Sequence, residues 1–456
     1  MRIALGVQIV TESERHTRRR VLKSAAAAAV LPLVHIRSAG AAGKLNIGLW
    51  DHWVPGANDV MQKQVNAWAE KNKVEVAVDF ITSSGKKILI TAAAEHQAGI
   101  GHDFIQMYNW DVGNFSNRLE PVDDVVKTMT DKFGGYGPIS EYLAKSGGHW
   151  WAVPSSTGTL NLTCCGRISM LKKFAGIDIQ AMFPAGPADP KASEAWTYDA
   201  FLAAAEACHK AGVPFGLGLG STDDSTNNTG VLFVAFGADL VNAKGEITVD
   251  SPAVRTFLAY AQKLVKFLPE DTVSYDDASN NRALISGKSA LIMNPPSAWA
   301  VAKRDAPDVA ADTWHFPMPY GPKGRFIPYN YSFYGTWAFG KNKTAAKELI
   351  AHLQQREQVE GRCIASEGYD IPPLVSMSDF KVWEDVNPPK GTVYNYPIRP
   401  WHNAKQNMTA YPAPRDVAVQ MFNRAVHPTM LAKLHSGQSI DQAIAWAKNE
   451  LEGFTR

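Results

Sequence analysis

From Lys44 onward, short apolar runs alternate with amphipathic stretches, the pattern of an α/β domain. Leu45-Asn46-Ile47-Gly48-Leu49-Trp50 predicts a strand. Asn58 to Lys71 then carries Val60, Met61, Gln64, Val65 and Trp68 at helical spacing, and Val74 to Ile81 returns to strand, with alternation at Val74, Val76 and Val78. A second helix is expected over Lys86 to Ala98, followed by a buried strand at Asp103-Phe104-Ile105-Gln106-Met107. In an open α/β sheet the loops at the carboxyl ends of strands gather at one edge and form the ligand crevice. That rule singles out 50–59, 82–86 and 108–114. Pro and Gly cluster at 183–190 and 317–324, which read as loops. The second cluster is a place for the chain to pass from one lobe to another.

The remaining chain is long enough to need two lobes, because one hydrophobic core rarely organises so many of its 456 residues. Its 46 Lys and Arg face 44 Asp and Glu, and the balance is close to neutral once the basic N-terminus is set aside. Such a balance carries no electrostatic footprint for nucleic acid or for an anionic membrane. Four cysteines, Cys164, Cys165, Cys208 and Cys363, are too few for a disulfide framework. Buried free thiols are expected, with one bridge from Cys208 to Cys164 or Cys165 as the alternative.

The N-terminus has its own pattern. Thr17-Arg18-Arg19-Arg20-Val21-Leu22-Lys23 precedes an apolar run from Ala25 to Val34 that contains Pro32, and the arrangement resembles a twin-arginine export signal. A bilayer core needs about 20 apolar residues, so this run is too short to be an anchor. Ala39-Gly40-Ala41 supplies the small residues of a cleavage site, placing the leader at 1–41. No lipid-accepting cysteine follows, since the first is Cys164. An exported protein without stable membrane insertion is expected.

Motifs for catalysis and cofactors are mostly missing. Ser286-Gly287-Lys288-Ser289 has the end of a phosphate loop, but Arg282 stands where its first glycine is required. Gly216, Gly218 and Gly220 alternate, yet Asp223 occupies the further glycine position of a dinucleotide fingerprint, and a tightly packed strand or loop is expected instead. Neither His nor Cys spacing matches a metal site, and no nucleophile elbow is present. No cofactor and no metal are therefore expected. The doublets Asp223-Asp224 and Asp276-Asp277 offer carboxylates, but neighbours on a strand point to opposite faces, whereas glycosidase acids face each other across about 5–10 Å. Solvated loop carboxylates or acceptors for ligand hydroxyls are the expected roles. Aromatics, by contrast, gather beside small polar groups in the predicted loops: Trp50, Trp53, Tyr108 and Trp110, then Trp299, Tyr331, Tyr334 and Trp401. Aromatic faces suit the apolar faces of sugar rings, while Asp, Asn and Ser satisfy hydroxyls.

A series of ordered motifs resembles the extracellular solute-binding proteins of ABC importers, the family that includes maltose-binding protein. They are the run from Gly101 to Met107 followed by Leu119-Glu120-Pro121-Val122; Gly148-His149-Trp150-Trp151-Ala152-Val153-Pro154; the Trp196–Asp199 stretch leading to Phe201–Lys210; and Ala283 to Leu291, leading to Trp299. Gly335 to Phe339 with Asn342 to Ile350, and Gly437 to Ala447, complete the series. The chain departs from the family at Asn161-Leu162-Thr163-Cys164-Cys165-Gly166-Arg167, where an aromatic, aromatic, Asn, Lys run is usual.

The resemblance implies a two-lobed periplasmic binding fold of type II kind with a ligand cleft between lobes, 42–155 with 324–370 forming one and 156–323 with 371–456 the other. It implies a monomer in the periplasm that closes on a carbohydrate or polyol and delivers it to the permease subunits of an ABC importer, without catalysis. The candidate ligand contacts are Trp50, Trp53, Ser83, Ser84, Tyr108, Trp110 and Asp111, with Thr157, Asp223, Trp299, Tyr331, Tyr334 and Tyr411. Trp53 and Trp110 are expected to meet at the crevice with Trp299 facing them. A periplasmic glycan hydrolase or lyase, or a ligand-sensing module, is the alternative.

Overall fold

The structure, a computed structural model, describes residues 44–186, 188–385 and 405–454. The expected leader and Trp401 lie outside the described residues. The first sheet has five strands in the order Val76–Ile81, Leu45–Trp50, Phe104–Tyr108, Ser332–Thr336, Val153–Pro154. Its first three strands are parallel, and Ser332–Thr336 runs antiparallel to both neighbours. A parallel strand covered on both faces becomes a nearly continuous apolar run, which is why Leu45, Ile47, Leu49 and Trp50 are all buried.

The helix Pro55–Asn72 covers this sheet with Ala57, Met61, Val65 and Trp68, one stripe at helical spacing. Proline at its first turn needs no N–H partner there, and Lys73 ends it in a left-handed conformation at φ 54°. Lys343–Leu353 packs beside it through Ala346, Leu349, Ile350 and Leu353.

The second sheet has three antiparallel strands, Thr313–Phe316, Thr163–Arg167 and Leu291–Asn294. Its central strand is the run in which the chain departs from the family pattern, and Cys164 and Cys165 are fully buried there as free thiols, like Cys208 and Cys363. Helices Tyr198–Lys210, Asp223–Ala235, Pro252–Leu264 and Val426–His435 build the surrounding core.

A crossing strand, Gly324–Asn330, pairs with Lys405–Asn407, with Leu160–Asn161 and with Tyr320–Gly321. The last pairing corrects the expectation of a loop over 317–324, since Tyr320 and Gly321 form a short antiparallel hairpin with the crossing strand. The alternating glycines at 216–220 are a packed loop: a Cβ on Gly218 would meet Ser225 Oγ at 2.6 Å, and one on Gly220 would meet the Tyr275 carbonyl at 2.5 Å. No helix among the described residues is long and apolar enough to cross a membrane.

Candidate functional site

The carboxyl ends of the three parallel strands point at a cleft cavity of about 770 Å³, part of it open to solvent. Strand Leu45–Trp50 delivers Trp50 and, three residues on, Trp53. Strand Val76–Ile81 is followed by Ser83 and Lys86, and strand Phe104–Tyr108 delivers Tyr108 and Asp111. Trp50 meets the Tyr108 ring edge-on, with centroids 6.2 Å apart, and lies 5.8 Å from Tyr369, a further wall residue. Lys86 (φ 57°) and Asn109 (φ 44°) are left-handed non-glycine residues at this rim, a conformation that costs energy and is tolerated where surroundings impose it.

Buried hydrogen bonds fix this half. Gln106 accepts the Trp50 backbone N–H at 3.0 Å and donates to Ser332 Oγ and to the Thr157 carbonyl, each at 2.7 Å. Behind Trp50, His52 Nδ1 accepts the Val54 N–H at 2.8 Å, so the ring proton sits on Nε2, which faces Asp370 Oδ2 at 3.2 Å. The other Asp370 oxygen accepts the Gly158 N–H at 2.7 Å. Gly158 has φ +76°, and a Cβ there would meet the Tyr108 hydroxyl at 2.6 Å, so glycine is required on both grounds.

The opposite wall comes from the second half of the molecule. Asp223 and Asp224 open the helix Asp223–Ala235, capped by Thr222, whose Oγ1 accepts the Ser225 N–H at 3.0 Å. Asp277 precedes the helix Ser279–Ile285, and Asn294, Pro295 and Ser297 follow the strand Leu291–Asn294. Asn294 donates to Asn281 Oδ1 at 2.5 Å and to Ser297 Oγ at 2.8 Å, while Asn280 donates to Asn294 Oδ1 at 3.1 Å. This amide network holds the two polar wall residues in place. Between the halves, Asn330 of the crossing strand accepts from Asn109 at 3.2 Å and from Asn227.

The wall carboxyls resist ionisation. Burial, then Asp223, raises Asp111 to about 7. Burial, then Asp223, does the same for Asp277, again to about 7. Asp223 is raised by burial, and Asp224 is held well above the usual carboxylate range by burial and then by Asp277. Lys86 opposes these effects at Asp111, Asp223 and Asp277. Burial and the nearby carboxylates Asp370, Asp223 and Asp111 also push the Tyr108 hydroxyl well up.

The cavity thus gathers six of the residues singled out from sequence: Trp50, Trp53, Ser83, Tyr108, Asp111 and Asp223. The others lie elsewhere. Ser84 sits in the turn beside Ser83, its N–H held by Thr82 Oγ1. Thr157 is buried and contributes its carbonyl to Gln106. Trp110 is 1% exposed, packs edge-on against Tyr142 and donates Nε1 to the Thr409 carbonyl at 3.0 Å, so it is a core residue. Trp299 packs with Ala302 and Ala310 under Lys303, whose Nζ is 5.0 Å from the ring. Tyr331 donates to Gln406 at 3.0 Å beside a separate cavity, and Tyr334 is buried against Phe104 in the first core. Tyr411 is 46% exposed against Tyr142 and lines a third depression. The doublet at 223–224 also departs from expectation. It sits on the first turn of a helix, where successive residues diverge by about 100° and not 180°, and both members line the cavity.

Lys86 lies in the expected crevice loop 82–86 and Asp277 in an acidic doublet read as loop carboxylates or hydroxyl acceptors, whereas Asn294, Ser297, Asn330 and Tyr369 were not singled out from sequence. For Asn294 and Ser297 a signal existed, because they follow a strand of the second sheet as Trp53 and Asp111 follow strands of the first.

No curated protein sequence matches the chain. Among solved structures it is similar to maltose-bound MalE3 of T. maritima, at 18% identity and TM-score 0.70 over 90% of this chain and 99% of that one. It is similar also to an ABC transporter solute-binding protein from Thermotoga lettingae TMO bound with α-D-tagatose, at 18% identity and TM-score 0.71 over the same shares. A sugar transporter from Arthrobacter chlorophenolicus A6 with bound laminaribiose matches at 16% identity and TM-score 0.70, again over 90% and 99%. At such identities the likeness carries the fold, a two-lobed α/β binding protein. The family described as bacterial extracellular solute-binding protein matches residues 63–389, most of the chain. The chain belongs to the bacterial extracellular solute-binding protein family.

Proposed function

We propose that this protein is the periplasmic receptor of an ABC importer, that it binds a carbohydrate or polyol in the cavity between Trp50 and Asp223, and that it delivers this ligand to the permease. One observation carries the reading: aromatic rings at the ends of one sheet's strands face carboxyls and amides from the other half of the molecule across a single cleft. Trp50, Trp53, Tyr108 and Tyr369 present apolar faces, and Asp111, Asp223, Asn294 and Ser297 match hydroxyls. Solved relatives of the same fold hold maltose, tagatose and laminaribiose.

The physical mechanism is hinge closure. A ligand stabilises the closed state only by the contacts it makes with both halves at once. We assign 42–155 with 324–370 to one lobe and 156–323 with 371–456 to the other, so that Asn330, shared by Asn109 and Asn227, lies at a crossing between them. Residues 1–41 serve as a twin-arginine leader, and the receptor acts as a monomer without catalysis.

A thermal-shift screen over mono- and oligosaccharides tests the ligand class, because a ligand at about 100 times its Kd adds roughly 2.7 kcal/mol. Uptake of the resulting sugar should be lost in a strain without the chain, and the sugar should be recovered intact after incubation with the protein. Normal uptake would point to sensing, and cleaved product to an enzyme.

A further inference from the structure

We propose that the ligand is an aminosugar, with a free ammonium group seated among Asp111, Asp223, Asp224 and Asp277 and its ring faces against Trp50 and Trp53. The inference rests on the carbohydrate reading above and narrows it. Four carboxyls from three separate segments converge on one cavity, and among the lining residues Lys86 is the single cation set against them. Burial penalises the ionised form of every member, and a neutral sugar brings no charge that offsets this cost. An ammonium group removes the mismatch and accepts charge-assisted hydrogen bonds from none of them, only donating, which is what ionised carboxylates require.

Two observations besides the acidic cluster point to a ligand. Trp50 is 3% exposed, lines the cavity, and its Nε1 donor has no partner; a buried indole N–H left unpaired is costly unless an acceptor arrives. Oδ1 of Asp277 is likewise buried without a donor. Trp50 and Asp277, both lining the cavity, thus hold one unpaired donor and one unpaired acceptor beside it, which a ring bearing both hydroxyl and ammonium would match. The aromatic walls add their own preference for a cation.

The pH dependence has a definite sign. Asp111 and Asp277, each raised to about 7, are largely protonated below that pH, and a cation binds to their ionised forms. Affinity for the ammonium sugar should rise as pH climbs from about 5 towards 7, with protons released on binding, and should fall again at the alkaline pH where the amine itself loses its proton. The charged and titratable groups facing the pair are Asp223, Asp224, Lys86 and Tyr108, with Asp370 buried behind the wall and Asp276 on the exposed side, paired with Arg282.

Calorimetric titration of the purified protein decides the matter, using glucose-type mono- and disaccharides in three matched forms, free amine, N-acetylated and hydroxyl, together with choline. At about pH 6, in two buffers of different ionisation enthalpy, the free-amine form should bind roughly tenfold or more tighter than the other two and release protons. Asp223→Asn with Asp224→Asn should erase that preference while a melt shows the variant folded. Equal affinity for the three forms, or preference for a neutral one, overturns the aminosugar proposal and leaves the carbohydrate reading standing. Binding of choline without any sugar overturns both, and binding of nothing in the panel overturns the proposal.

Discussion

Asp111→Asn should make the unliganded protein more stable at high pH and leave it unchanged at low pH. Asp111 is 8% exposed, its Oδ2 accepts the Tyr108 N–H at 3.2 Å, and burial together with Asp223 raises it from 3.8 to about 7. Each tenfold change in proton affinity is worth about 1.4 kcal/mol. Between pH 4 and 7 the folded protein holds a proton that the unfolded chain has released, so stability falls as pH rises through this window. Above it the ionised carboxylate costs roughly 4 kcal/mol at most.

Water in the open cleft reduces that figure, and asparagine gives up one of two acceptors, which leaves an expected gain of about 1–3 kcal/mol for the variant at pH 8. Below about pH 4.5 both proteins carry a neutral side chain there, and the difference should shrink to roughly 0.5 kcal/mol or less. Urea unfolding of both proteins without ligand, at both pH values, measures this directly. An equal difference at the two pH values, or a less stable variant at pH 8, would refute the idea that the cleft stores like-charge and desolvation cost at Asp111. A site that is costly when empty and recovers the cost on binding is one in which function and stability compete.

Two further outcomes follow from where side chains sit. Trp53→Ala removes a half-buried wall residue and should weaken ligand binding by about 2 kcal/mol or more with little change in melting temperature, whereas Trp110→Ala empties a core site and should cost roughly 3–5 kcal/mol of stability. Calorimetry beside a melt separates the two, and stability lost at Trp53 with unchanged affinity would reverse their roles. Cys164 and Cys165 are fully buried and burial pushes both thiols far up, so a thiol reagent should label them only when the protein unfolds. Rapid labelling in the native state, suppressed by ligand, would place them at the site instead.

The elements of the first sheet were legible because their periods are local. Leu45–Trp50 came out at its observed limits, and the helix from Asn58 was found but starts three residues earlier, at Pro55, where proline fits a first turn. The position of a loop after a parallel strand fixes the edge it occupies, and so Trp50, Trp53, Tyr108 and Asp111 could be named from sequence. What a loop aromatic does with its ring is not local. Trp110 follows a strand just as Trp53 does, yet Thr409, far along the chain, offers its indole an acceptor in the core. Trp299 follows the expected motif, but its helix turns the ring onto Ala302 and Ala310 while Ser297, two residues earlier, faces the cavity. Asp277 stood out as one of an acidic doublet, but which of its roles it takes, and the presence of Tyr369 at the wall, depend on long-range packing that no spacing in the sequence encodes.

Hydrogen–deuterium exchange with and without a saturating sugar from the thermal-shift screen tests the central claim most directly. The account predicts slower exchange on both sides of one cleft at once, at 50–54, 83–88 and 108–111 from the first sheet and at 222–226, 276–281 and 294–298 from the other half. Protection confined to one side, or centred on the separate cavity beside Tyr331 and Gln406, would contradict a ligand held between the two halves.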